Sequence, residues 1–288
     1  MPSHVYVGVD LGGTRIRAAA VSSTGTIDKI RQRPTQSDRP AMHIVEDVVE
    51  LVREVAPVGL AGIGVGVPTT LDERGWLRPC LNLPTFGSFN LGAELQTRLN
   101  TKVQLENDAR CFTLGEWAWG AARGVRIAVG LTLGTSVGLG IVVDGVPFRG
   151  AHGDAGEIWR SPTRSTSQGC PESILHDLLG GHAITRLFED PARSGIDAAA
   201  IAERAVQGDR EAITVFERYG ADLGIAVCWI CDILDPDRIV IGGAVATSFD
   251  FIRPSVAAAI RHRRCNIVTS SLGDKAAILG SVSLVRGK

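Results

Sequence analysis

The chain has 288 residues, 44% hydrophobic and 21% charged, which is enough for two modest domains, each with its own apolar core. Thirty basic residues against 31 acidic ones leave a net charge of −1, so nothing points to a nucleic-acid partner or a charged interaction tail. The longest apolar stretches, such as residues 225–232, are broken by glycine or charge, and the start of the chain lacks the basic segment and apolar run of a secretory signal. A cytoplasmic protein without a membrane span is expected.

Taken in order, residues 5–9 read as a strand that feeds a glycine turn, and residues 16–21 carry the chain back as its hairpin partner. Residues 41–56 place Ile44, Val48, Leu51, Val52 and Val55 at helical spacing, and Pro57 stops them. Gly62-Ile-Gly-Val-Gly-Val-Pro68 reads as a buried strand entering a loop, residues 90–99 as a short helix, and residues 103–105 as a strand delivering Glu106-Asn107-Asp108 at its C-terminal end. Ligands of open α/β sheets lie beyond such ends. A helix is expected over 109–119, and a second hairpin over 127–131 and 137–143. The loop Gly150-Ala-His-Gly-Asp-Ala-Gly-Glu157 comes next, then a polar stretch poor in structure over 161–169. Residues 173–190 and 198–232 read as helices. Residues 239–241 form a strand, and Gly242-Gly243 opens a further helix.

The two hairpins repeat one pattern. Gly8-Val-Asp-Leu-Gly-Gly-Thr14 and Gly130-Leu-Thr-Leu-Gly-Thr-Ser136 stand 122 residues apart, with Gly8, Leu11 and Gly12 matching Gly130, Leu133 and Gly134. Glycines let bare backbone N–H groups approach an anion, and Thr14, Thr135 and Ser136 add hydroxyl donors. A matched pair of such turns argues for two related α/β domains with a polyphosphate between them. The six cysteines are scattered and form no disulfide framework. Cys228-Trp-Ile-Cys231 has redox or zinc spacing but falls inside an apolar helical stretch, so core thiols are expected there.

Asp10-Leu-Gly-Gly-Thr14, Gly64-Val-Gly-Val-Pro68, Asn107-Asp108, Leu133-Gly-Thr135 with Gly138 and Gly140, Gly153-Asp-Ala-Gly-Glu157, Gly169-Cys-Pro-Glu172, and Asp235-Pro236 followed by Gly242-Gly243 together resemble the ROK sugar kinases. The resemblance spans nearly the whole chain. It implies an α/β protein of two actin-like ATPase (ribonuclease H-like) domains with an interdomain active-site cleft: residues 1–112 as the first lobe, 113–272 as the second, and a C-terminal helix over 273–288 packing back on the first. It also implies a cytoplasmic homodimer that uses ATP and Mg²⁺ to phosphorylate a sugar.

By that resemblance Asp108 is the general base, while Asn107, Glu157 and Glu172 bind sugar hydroxyls, with Thr69, Asn82 and Arg160 on the substrate side. Gly12, Gly13, Thr14, Gly134 and Thr135 face the phosphates, Gly242 and Gly243 the adenosine, and Asp10 holds Mg²⁺ through water. From the residues alone, Asn107 also reads as the cap of the helix that follows, and Glu172 as a charge in the first turn after Pro171.

Two departures stand out. Relatives follow the Gly-Glu pair with Ile-Gly-His, whose histidine ligates a zinc completed by a cysteine run. Here Ile158-Trp159-Arg160 follows Glu157, and of that run only Cys170 remains. His176 and His182, six residues apart on one expected helix, would point about 240° apart, so no zinc site is expected. Thr69 stands where relatives carry glycine. The sugar is therefore open: a different hexose, an amino or acidic sugar, or a cyclitol. Arg160 is expected either to reach substrate or to turn outward onto an acid such as Asp154. A repressor of this family would place a helix-turn-helix module ahead of the first strand, where about four residues stand. The alternative function is a non-catalytic sugar-binding or regulatory protein on the same scaffold.

Overall fold

The computed structural model describes residues 5–56, 59–87, 89–165, 171–188 and 196–286. Strand β1 (Val5–Leu11) turns antiparallel into β2 (Arg15–Ser22) and then β3 (Ile27–Pro34). Helix α1 (Ala41–Val55) carries the chain to β4 (Leu60–Val67), which lies parallel to β1, and α2 (Leu91–Leu99) carries it to β5 (Val103–Asn107), parallel to β4. The sheet order is β3-β2-β1-β4-β5. Helix α3 (Asp108–Trp119) leaves directly from β5.

The same plan then recurs. Strands β6 (Ile127–Leu133), β7 (Val137–Val143) and β8 (Val146–Pro147) are followed by β11 (Arg238–Gly242), parallel to β6, and β12 (Asn266–Thr269), parallel to β11. The order β8-β7-β6-β11-β12 matches the first sheet strand for strand. The sequence repeat thus marks a duplicated topology, with each glycine turn joining the first two strands of its sheet. Between β8 and β11 lie β9 (Pro162–Ser165), β10 (Pro171–Ile174), α4 (Leu175–Leu179), α5 (Gly181–Leu187), α6 (Ala198–Val206) and α7 (Arg210–Leu234). Helices α8 (Phe249–Ile260) and α9 (Ala276–Ser283) flank β12 in the chain. The chain divides into two compact units, 1–126 with 140–156 and 271–288, and 127–139 with 157–270.

In the first unit α1 is amphipathic, and it buries Ile44, Val45, Val48, Leu51, Val52 and Val55 against Val7, Val9, Ile63 and Val65 of the sheet. Burying one such side chain is worth about 1.5–3 kcal/mol. The opposite face receives α9, where Ile278, Leu279 and Val282 meet Ala19 and Val21. Gly8, Gly64, Gly115 and Gly280 permit this close approach. A Cβ at Gly64 would lie 1.8 Å from the Ser281 carbonyl oxygen, and one at Gly280 would lie 1.7 Å from that of Cys111 in α3. The buried Glu116 carboxylate anchors the return to α9 by accepting from the backbone N–H groups of Ala121 and Leu272 and from the Ser271 hydroxyl.

Four expectations are corrected here. The stretch expected to be poor in structure contains β9, which pairs with β10. Glu172 therefore lies in a strand rather than in a first helical turn. The helix expected over 173–190 starts only at Leu175 and breaks at Gly180, where α4 ends and α5 begins with no intervening loop. The one expected over 198–232 is interrupted at Gly208, whose φ of +86° suits a residue without Cβ.

The α9 contact gives a stability prediction. Gly280→Ala should destabilise the protein by at least about 2 kcal/mol, because a backbone oxygen cannot yield to the new methyl as a flexible side chain can. Guanidinium denaturation should show this, while Gly87→Ala, whose Cβ would meet nothing within 4 Å, should leave the midpoint unchanged.

Candidate functional site

In the first unit the turn between β1 and β2 is closed by Gly12 N–H donating to the Arg15 carbonyl at 2.9 Å, and the buried Thr35 hydroxyl donates to the Gly12 carbonyl at 2.6 Å. Gly13 stands so close to Asn82 that a Cβ would meet its carbonyl oxygen at 2.9 Å, so a phosphate candidate and a sugar candidate adjoin. Asp10 lies opposite Arg17 in the antiparallel register, which places both side chains on one sheet face. Arg17 donates through Nε at 3.1 Å and Nη2 at 2.6 Å to Asp10 Oδ2, and its Nη1 lies 3.3 Å from the exposed Asp274. A cavity of about 320 Å³ is lined by Asp10, Gly12, Gly13, Thr14 and Arg17, among others. Sequence reading missed Arg17; the cross-strand register was its only signal.

The β5–α3 junction carries Asn107 and Asp108 together. Asn107 Oδ1 accepts from the Ala109 and Arg110 N–H groups at 3.0 and 3.2 Å, so it caps α3 as its sequence allowed. Its Nδ2 reaches the Thr69 carbonyl at 3.5 Å, while the Thr69 hydroxyl donates to the Arg78 carbonyl at 3.0 Å. Asp108 is half-buried, and its Oδ1 accepts from Ala109 N–H at 2.7 Å. Beneath this pair is a charged cluster that sequence reading also missed. Fully buried Glu106 accepts from Asn107 N–H at 2.9 Å, from Arg110 Nη1 at 3.1 Å and from Arg149 Nε at 2.6 Å. Burial beside Glu106 and Asp108 pushes the Cys111 thiol well above its ordinary range, leaving it protonated and inert.

The second unit holds the other turn, where Gly134 N–H donates to the Ser136 carbonyl at 3.1 Å and the Gly134 carbonyl accepts from Gly181 N–H at 2.6 Å. A Cβ at Gly243 would fall 2.3 Å from the Leu133 carbonyl oxygen, so Gly242 and Gly243 pass tightly against the end of β6, where the turn begins. His176 and His182 are corrected here. The break at Gly180 folds α5 back, and their rings lie 5.1 Å apart instead of diverging, with His176 Nδ1 3.5 Å from the Ser136 hydroxyl. Glu157 is half-buried and accepts from Trp159 Nε1 at 2.6 Å. Arg160 ends a 3₁₀ turn on the surface. Asp154, offered as its outward partner, is gripped by Arg78 at 3.0 Å in the first unit. Glu172 contributes its backbone to β10, and Cys170 lies outside the described residues. Among the described residues no cluster of three or more His, Cys, Asp or Glu could hold a metal. Cys231 is buried and shares a hydrogen bond with Cys265, whose thiol burial pushes up to about 12.

A meander of three strands, two parallel additions and a glycine turn after the first strand, all occurring twice, define an actin-like ATPase fold with a phosphate-turn candidate in each half. The chain belongs to the ROK family, whose model matches residues 6–288. It is 30% identical to a glucokinase of Thermotoga maritima over 99% of this chain and 98% of that one. It is 31% identical to an N-acetyl-D-glucosamine kinase of Salmonella paratyphi C over 84% of each. Among solved structures, a ROK hexokinase from Thermus thermophilus is 26% identical, with a TM-score of 0.83 over 98% of this chain and 97% of that one. Among the described residues no helix is long and apolar enough to cross a membrane.

Proposed function

We propose that this ATP-dependent sugar kinase of the ROK family transfers the γ-phosphoryl group to a hydroxyl of a hexose or hexose-like substrate, with Asp108 as general base. The observation that carries the reading is the β5–α3 junction: a half-buried carboxylate, fixed through its own backbone contact, beside an asparagine that is itself fixed as a cap. A sugar hydroxyl is a poor nucleophile until its proton has an acceptor. Asp108 takes that proton as the hydroxyl oxygen forms its bond to the γ-phosphorus and the bond to ADP breaks. Asn107 and Glu157 orient the ring through neighbouring hydroxyls, and Trp159, by donating to Glu157, sets which carboxylate lone pairs face the sugar. Glu172, Thr69, Asn82 and Arg160 complete the substrate side.

Gly12, Gly13, Thr14, Gly134 and Thr135 offer backbone and hydroxyl donors to the phosphates, with Gly242 and Gly243 beside the adenosine. Asp10 fits a hydrated Mg²⁺: it is a carboxylate lining a cavity with the glycine turn, and Arg17 restrains its rotamer. The ion, when bound, neutralises charge on the β- and γ-phosphates. Glucose and N-acetylglucosamine kinases among the relatives bracket the substrate class without fixing it, and Thr69, Trp159 and Arg160 are the residues through which this chain would choose its sugar. The family resemblance also supports a cytoplasmic homodimer. Ile225, Trp229 and Ile233, exposed along one stripe of α7, suit a second copy.

Three outcomes test the reading. Asp108→Asn should lower turnover by about 10²–10⁴-fold while sugar binding by calorimetry persists; near-normal turnover would remove Asp108 from the base role. Arg160→Ala should raise KM for the preferred sugar by about tenfold or more with KM for ATP unchanged, if a charge-assisted hydrogen bond is lost. An unchanged ranking across a sugar panel would place specificity elsewhere. Purified protein should carry no stoichiometric zinc, and elemental analysis finding one per chain would overturn that expectation.

A further inference from the structure

The loop over residues 148–156 has little regular structure of its own, and Gly150, Gly153 and Gly156 all adopt positive φ, at 72°, 82° and 93°. Such a segment has many conformations of similar energy unless side chains fix it. Arginines do so here. Arg110, only 1% exposed on the first turn of α3, donates through Nη2 to the Gly153 carbonyl at 2.6 Å and to the Ala155 carbonyl at 2.7 Å, while Nη1 binds Glu106. From the other side Arg78 donates to the His152 carbonyl at 2.7 Å and to Asp154. Arg149, where the loop begins, returns to the second oxygen of Glu106. Glu106 and Arg110 bracket Asn107 and Asp108 in sequence, and the clamped backbone runs straight into Glu157.

We propose that Arg110 is a positioning residue for sugar binding: its guanidinium locks the backbone that leads into Glu157 onto the strand–helix junction that presents Asn107 and Asp108. The proposal rests on the reading of those three residues as sugar ligands. Arg110 is committed to Glu106 and to the Gly153 and Ala155 carbonyls, and acts by ordering residues 148–156, the segment that leads into Glu157. Only a planar fork serves this geometry, since one guanidinium meets a carboxylate and two carbonyls at once, whereas an ammonium is a point donor on a flexible stem. The arrangement is therefore specific to arginine and not to positive charge.

Arg110→Lys tests this, because lysine preserves the charge facing Glu106 while losing the fork. With the circular dichroism spectrum unchanged, hydrogen exchange of the amides over 148–157 should quicken. Sugar KM and the sugar dissociation constant measured without nucleotide should rise by about tenfold, and KM for ATP should stay within about twofold. Unchanged loop exchange, or a loosened loop with unchanged sugar affinity, would overturn the proposal. So would an equal rise in both KM values, which is the mark of a general structural defect. If Arg110→Lys fails to fold, the E106Q/R110Q pair, which leaves no buried charge unmatched, should show the same loosened loop and weakened sugar binding, and its normal behaviour would equally overturn the proposal. Failure of the kinase reading looks different: wild-type protein would turn over no sugar in the panel, and calorimetric sugar binding with loop exchange would still decide the role of Arg110.

Discussion

The carboxylate of Glu106 organises the candidate residues of the first unit. It is wholly buried and accepts from two guanidiniums and from the Asn107 backbone. A charge removed from water must recover its lost hydration from partners, and truncating one side of such a pair typically costs about 3–5 kcal/mol. That cost does not make the cluster a net source of stability, since well-packed apolar side chains could replace it at no loss. What the cluster supplies is direction. Each donor has a single place to go, so the end of β5, the first turn of α3 and the loop from Arg149 hold one relative geometry.

Packing behind the sheet serves the same end by a different force. Helix α9 presses against β1, β4 and α3 where glycines have removed the side chains that would hold it away. Close-packed interiors transmit displacement, so an α3 held on one side by α9 and on the other by Glu106 has little freedom to tilt. Asp108, at its first residue, inherits that rigidity. The base role proposed for Asp108 needs its carboxylate held within a fraction of an ångström, and a helix gripped on both sides meets that requirement better than a loop does.

Much of this was legible in the sequence. The paired glycine turns announced the duplicated topology because backbone conformation at a tight turn restricts residue choice strongly. Asn107-Asp108 announced the strand end because polar residues directly after an apolar run mark the point where a buried strand leaves the core. What stayed hidden depends on where distant segments meet. Neither Glu106 nor Arg110 stood out in the sequence, because Glu106 is the strand's penultimate residue and Arg110 places its second nitrogen on carbonyls more than forty positions away. The meeting of His176 and His182 was misjudged because a Gly-Gly pair inside a periodic apolar pattern breaks a helix only when tertiary contacts, here Gly181 to the Gly134 carbonyl, compensate the lost hydrogen bonds.

Asn107 shows that the capping it performs leaves room for the substrate contact proposed for it. A carboxamide carries an acceptor at one end and two donors at the other. Its oxygen is committed to the α3 N-terminus, which leaves the amide nitrogen as the working end, already turned towards the Thr69 carbonyl at the long distance of 3.5 Å. In the proposed reading a sugar hydroxyl completes that bond, because a contact so long contributes little. Thr69 then acts mainly through its backbone: its hydroxyl is occupied by the Arg78 carbonyl, and Arg78 in turn holds His152 and Asp154. A threonine at this position does more than present a methyl and a hydroxyl. Through Arg78 it ties the loop after β4 to the loop before Glu157, so a residue that looks like a specificity contact works as a link between two loops.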